Sequence, residues 1–185
     1  ASANKLPEVD GLYIGGGFPE VHAAQLGSNT EFTASIRKNV SAGMPVYAEC
    51  AGLMYLAREL VVDGVTHSMA GVLDLVVEQL PTPQGHGYEV AVVDRDNQFF
   101  AAGTRLVGHE FHYSRLVGGS DGERSVLRVE RGTGIGDKRD GISSGRVFAS
   151  YLHLHAGATP GWADGFLSLS ARYAGERNGS TAACG

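Results

Sequence analysis

The sequence predicts an α/β fold, a parallel sheet flanked by helices with an antiparallel, β-rich section in its middle. Three observations predict it. The run Met44 to Glu49 is apolar and short, with Pro45 at its opening, and reads as a buried strand. After Cys50, the residues Leu53, Leu56, Ala57 and Leu60 recur with helical spacing. The first third therefore alternates β-α-α-β-α, the order that builds a parallel sheet.

Taken in order, Gly11 to Ile14 is the first strand, and Gly15-Gly16-Gly17 follows it directly. Pro19 at a first helical position and Glu20 in the first turn open a short helix through Leu26. From Thr30 a second helix carries Phe32, Ile36 and Val40 on one face and stops at Gly43. The Cys50 strand and helix come next. From Leu60 to Val129 short strands are expected around Asp63-Gly64, at Val72 to Gln79, Tyr88 to Val93, Val107 to Tyr113 and Val126 to Val129. Gly118 to Glu123 and Gly132 to Gly145 read as loops. A last strand from Arg146 to His153 leads to a Pro160-started helix bearing Trp162, Phe166, Leu169 and Tyr173.

Composition sets the class. A chain of 185 residues suits one domain, expected over residues 1–175, with Glu176 to Gly185 as a disordered polar tail. The net charge of −5, with no basic stripe, argues against a nucleic-acid partner. No apolar run approaches a membrane span and no leader is visible, so the expected setting is cytoplasmic, without a membrane partner. Cys50 and Cys184 are the two cysteines, and Cys184 falls in the tail, which argues against a disulfide. His109-Glu110-Phe111-His112 is one residue short of H-E-x-x-H, so no metal site is expected.

Cys50 carries the chemistry. A thiol on a strand-to-helix turn, beside Ala51 and Gly52, is the cysteine form of a nucleophile elbow, and a helix N-terminus favours thiolate. In an open parallel sheet, ligands bind at the carboxyl ends of the strands. The triple glycine, Cys50 and His153 all fall on that edge. His153 is then the base, while the N–H groups of Gly16, Gly17 and Ala51 form an oxyanion hole. No phosphate-loop pattern competes, since G-x-G-x-x-G and G-x-x-x-x-G-K-[ST] are both missing from the sequence.

Four ordered motifs carry a resemblance: Asp10 to Glu20, Tyr47 to Leu56, Gly108 to Ser114 and Ser150 to His155. They resemble the glutamine amidotransferase domain of cobyrinic acid a,c-diamide synthases, from about Leu6 to Ala174. Cobyric acid synthases resemble Gly-Tyr-Glu-Ile-His at the third motif, so Gly108-His109-Glu110-Phe111-His112 fits the a,c-diamide type better. The resemblance implies a class I amidotransferase-like (flavodoxin-like) sheet, glutamine as substrate, Cys50 as nucleophile and His153 as base. It implies that the ammonia amidates a corrinoid on a separate synthetase domain that uses ATP and Mg2+. His155 stands where class I glutaminases carry their orienting glutamate, and Ala156 where an aromatic is usual. Glu110, His112 and Ser114 share one strand face and are expected at the tetrapyrrole or domain interface, with His109, Phe111 and Tyr113 packed inward. A nickel-tetrapyrrole synthase, a cobyric acid synthase, a silent binding module and a homodimer all remain open at this stage.

Overall fold

The run Val46–Glu49 is buried along its whole length, and its two faces enter different cores. Val46 and Ala48 face Ile36, Leu53 and Leu56, whereas Tyr47 faces Phe99, Phe100 and Phe148. A strand covered on both faces belongs inside a sheet, between parallel neighbours. The computed structural model, which describes residues 3–182, puts it there.

In chain order the elements are β1 (Leu12–Ile14), α1 (Ala23–Ser28), α2 (Thr30–Ser41), β2 (Val46–Glu49) and α3 (Ala51–Leu56). There follow β3 (Glu59–Val62), β4 (Val65–Ser68), β5 (Val76–Gln79), β6 (Gly85–Val93), β7 (Arg105–His112) and β8 (Ser114–Gly118). The last are β9 (Ser125–Arg131), β10 (Arg139–Ser144), β11 (Val147–Ser150), β12 (His153–Leu154) and α4 (Asp164–Ala182). A mixed sheet of eight strands runs β1-β2-β11-β10-β9-β6-β7-β12, and a second sheet of four runs β4-β3-β5-β8. Only the β1-β2 and β2-β11 pairs of the first sheet are parallel.

The local chemistry is plain in the first third. Pro19 opens a 3-10 turn that leads into α1. Asn29 caps α2 by accepting from the Phe32 N–H, and Gly43, at φ 94°, ends it. Asp63 and Gly64, both at positive φ, make the tight β3-β4 hairpin expected there.

The expected antiparallel section is present: β6, β7, β9 and β10 extend the parallel sheet, and β3, β4, β5 and β8 form the second one. The structure departs from expectation at four places. The stretch from Gly132 to Gly145, expected as a loop, contains β10, because pairing with β9 on one side and β11 on the other outweighs the turn chemistry of its glycines. The helix after Cys50 stops at Leu56, since Leu60 is needed on β3. The last strand breaks at Ser150, and His153 starts a separate short strand against β7. The final helix begins at Asp164, not Pro160, and runs through residue 182, across most of the expected tail. Arg146 holds it there with a two-pronged bond to Glu176, both contacts 2.8 Å. Cys184 lies outside the described residues.

Helix α3 passes so close to β1 that Gly52 has no room for a side chain. A methyl there would collide with the Ile14 carbonyl oxygen and sit 3.0 Å from the Ala48 Cβ. Gly52→Ala should therefore cost about 1–3 kcal/mol through overpacking. In urea unfolding the midpoint should fall with an unchanged m-value. An unchanged midpoint would show that α3 can shift freely against β1.

Candidate active site

Cys50 sits at φ 47° and ψ −98°, outside the wells open to a side-chain-bearing residue. Holding it there costs about 1–3 kcal/mol, a strain that marks functional turns. Two bonds fix it: its N–H donates to the Ser150 carbonyl at 2.7 Å, and its carbonyl accepts from the Met54 N–H at 3.1 Å. The thiol is 5% exposed and donates to the Phe111 carbonyl at 3.7 Å.

Strand pairing gathers the rest. In the parallel trio, Ile14 aligns with Ala48 and Ala48 with Ala149, so the loops after β1, β2 and β11 leave the sheet together. A methyl on Gly16 would collide with the His153 ring, and one on Gly17 would lie 3.7 Å from the Ala51 Cβ. Gly16, Gly17, Ala51, Cys50 and His153 are thus neighbours. Glu49 staples the two chemical segments. Its Oε1 accepts from the Leu154 N–H at 3.3 Å, and its Oε2 accepts from the Tyr13 hydroxyl at 2.9 Å.

Electrostatics correct one expectation. The Cys50 thiol is not poised as thiolate: burial pushes its pKa up to about 12. The Ala51 N–H opposes this, but the carboxylates of Glu20, Asp140 and Glu49 add to it. A helix of six residues has too small a dipole to win. His153 moves the other way. Burial first, and then the imidazoles of His109 and His112, hold it below the ordinary histidine value, so it is a neutral acceptor at pH 7.

His155 is not arranged to orient that ring. It is exposed, and its ring lies against Gly157. Instead His109, directly across the β7-β12 pair, stacks on His153 with centroids 4.7 Å apart and planes 6° from parallel. Among the described residues, no carboxylate hydrogen-bonds to the His153 ring.

The third motif has the parity read from sequence but the opposite orientation. Glu110, His112 and Ser114 are the buried face, at 2%, 3% and 0% exposure. Glu110 accepts from the N–H groups of Thr133 and Gly134, His112 stacks on Tyr151 at 3.7 Å, and Ser114 bonds the Tyr151 hydroxyl at 2.8 Å. Burial works to raise the Glu110 pKa, yet the His112 ring and those two N–H groups hold it below the ordinary value. In this structure the three side chains are therefore buried rather than offered to a partner domain or tetrapyrrole. The outward residues are His109 and Phe111, which with His86 and Tyr88 line an open groove of about 420 Å3.

Two cavities adjoin the thiol. The cleft that contains Cys50, Glu20, Gln79 and Tyr113 is narrow, at about 30 Å3. A second, of about 340 Å3, lies beside Ala51 between Ile14, Gln25 and Tyr55. Phe18 lines both and is 69% exposed. Glu49, His109 and Asp140 escaped the sequence reading. Glu49 and Asp140 act through backbone amides, which leave no side-chain motif to find.

The family described as the CobB/CobQ-like glutamine amidotransferase domain matches residues 1–160. The cobyrinate a,c-diamide synthase of Methanothermobacter thermautotrophicus is 44% identical over 162 residues, covering 88% of this chain and 35% of that protein. That of Magnetococcus marinus is 40% identical over 158 residues, covering 85% and 34%. The chain thus spans about a third of the length of these relatives. A solved structure described as a glutamine amidotransferase superposes with a TM-score of 0.62 at 23% identity, covering 91% of this chain and 85% of that one. PurLQS from Thermotoga maritima gives 0.57 at 20% identity, covering 82% and 70%. At these identities the likeness speaks to the fold.

A buried thiol with a raised pKa makes a direct prediction. Iodoacetamide should alkylate Cys50 slowly at pH 7, and the rate should climb about tenfold per pH unit without levelling off near the ordinary thiol value. That value is 9.0. A plateau at or below it would show that the resting protein already holds a thiolate.

Proposed function

This chain belongs to the CobB/CobQ-like glutamine amidotransferase domain family, and from that premise we propose that it hydrolyses glutamine at Cys50 and releases ammonia for amidating a corrinoid. The relatives named for cobyrinate favour that recipient over a nickel tetrapyrrole. The observation that carries the reading is the meeting of a strained cysteine, a neutral imidazole and a glycine loop on one sheet edge.

The chemistry follows from those positions. His153 accepts the Cys50 proton as the sulfur attacks the side-chain carboxamide carbon of glutamine. The oxyanion that forms takes hydrogen bonds from Ala51 and from Gly16 and Gly17, whose N–H groups make no backbone hydrogen bond among the described residues. The C–N bond then breaks, His153 returns the proton to the departing ammonia, and a γ-glutamyl thioester remains on Cys50. Water, deprotonated by His153, attacks the thioester, so that glutamate leaves and the thiol is restored. The face of His109, rather than an acidic side chain, orients the base.

Glutamine cannot enter a cleft of about 30 Å3. Rotation of the exposed Phe18 ring would join that cleft to the larger cavity beside Ala51, which makes Phe18 the gate of this proposal. Glu20, which lines the cleft, supplies the charge that faces the substrate's ammonium. ATP and Mg2+ are assigned to the two thirds of the relatives that this chain does not match. Among the described residues, no group of three or more metal-ligating side chains gathers that could hold the ion.

A diazoketone analogue of glutamine tests the reading by mass spectrometry. One adduct should form on Cys50 and vanish in Cys50→Ser, and its formation should fall off only below pH 6.5, the ordinary histidine value, because His153 must be neutral. Glu20→Gln should weaken half-saturation by the analogue about tenfold while leaving the maximal rate within a few-fold. Equal labelling of Cys50→Ser would sink the assignment.

A further inference from the structure

Behind the catalytic edge lies a second cluster that the proposed chemistry does not use. Asp140, on β10, is fully buried, and its carboxylate accepts four contacts from three backbone N–H groups. Gly141 donates at 2.7 Å, Tyr151 to both oxygens at 3.1 Å, and Leu152 at 3.1 Å. Tyr151 and Leu152 are the two residues between the end of β11 and His153, where the chain has left one strand and not yet joined the next. Their amides have no ladder partner, so a carboxylate takes that place.

Glu89, on β6, faces Asp140 and is also 0% exposed. Among the described residues, no N–H or hydroxyl donor reaches either of its oxygens. The Gly132–Gly134 turn closes over both acids. A methyl on Gly132 would lie 3.0 Å from the Glu89 Cγ, and one on Gly134 2.9 Å from the Asp140 Cβ. Glu110 is the third acid nearby, but it has its own partners in His112, Thr133 and Gly134. Two buried carboxylates with no cation between them cannot both ionise. The N–H groups reach only Asp140 and so decide which keeps the charge. Glu89 can be satisfied only by keeping its proton and donating it to Asp140.

We propose that Glu89 and Asp140 hold a single proton between them, and that the resulting Asp140 carboxylate is a positioning group that clamps the Tyr151 and Leu152 amides and so sets the place of His153. The inference rests on the reading of His153 as the base only for its catalytic consequence. The shared proton stands apart from that reading. Burial raises both carboxyls of the pair: at Glu89 the charges of Asp140 and Glu110 add to it and carry the pKa well above its ordinary 4.5, whereas at Asp140 the backbone N–H groups oppose it. The stabilisation is therefore complete below pH 4.5 and declines as pH rises towards the folded value, since folding takes up one proton in that window.

Infrared difference spectroscopy on the whole 185-residue chain reads the proton directly. A protonated-carboxyl band should persist at pH 7 and disappear in Glu89→Gln, whose amide N–H still donates to Asp140. The same variant should flatten the decline of stability above pH 4.5 and leave the NMR titration of His153 in place. Asp140→Asn should move that titration and slow diazoketone labelling of Cys50 on the order of 10²-fold. No band lost in Glu89→Gln would overturn the shared proton, even if Asp140→Asn fails to fold. An unmoved His153 titration in folded Asp140→Asn would overturn the positioning role. If wild type also fails to label while the band is lost as expected, the glutaminase reading falls and the proton pair stands.

Discussion

Everything at the candidate site depends on the parallel pairing of β2 with β11. It brings residues a hundred positions apart into register, Glu49 opposite Ser150, and it closes on the bond from the Cys50 N–H to the Ser150 carbonyl. The pairing is possible because both strands are apolar on both faces. Tyr47 stacks on Phe148 at 5.2 Å on one side, and Val46, Ala48, Val147 and Ala149 fill the other core. A strand with one polar face could not occupy that position, and the three loops would not emerge together.

Acids hold this site together, and they do so through the backbone. Glu49 grips Leu154, Asp140 grips Tyr151 and Leu152, and Glu110 grips Thr133 and Gly134. Of these amides, those of Tyr151, Leu152, Thr133 and Gly134 lie between strands, without ladder partners. The same charges have a cost at the sulfur, where Glu20, Asp140 and Glu49 all disfavour the thiolate. The scaffold that fixes the geometry thus also keeps the Cys50 thiol protonated.

The first third was legible because its periodicities are strong and its punctuation is unambiguous. Pro19, Gly43 and the run into Cys50 each mark a boundary that packing did not override. Further along, the pattern conveyed parity without direction. Glu110, His112 and Ser114 were placed on a common face, but polarity pointed them outward, whereas their mutual hydrogen bonds let them stay in. The β10 strand was hidden because its glycines, Asp140-Gly141 among them, read as turns, although its ladder partners on β9 and β11 lie close by in sequence. His155 followed the motif alignment, but in space the partner of His153 is His109, a neighbour only through strand pairing.

The passage from β7 to β8 crosses between the two sheets with Tyr113 alone between them. Tyr113 lines the Cys50 cleft, as does Gln79, whose partner across the second sheet is Ser114. The cleft is therefore a seam, with one lip on each sheet and a single residue as its hinge pin. The aperture at the sulfur is set by the angle between the two sheets. The opening above Cys50 thus belongs to neither sheet by itself.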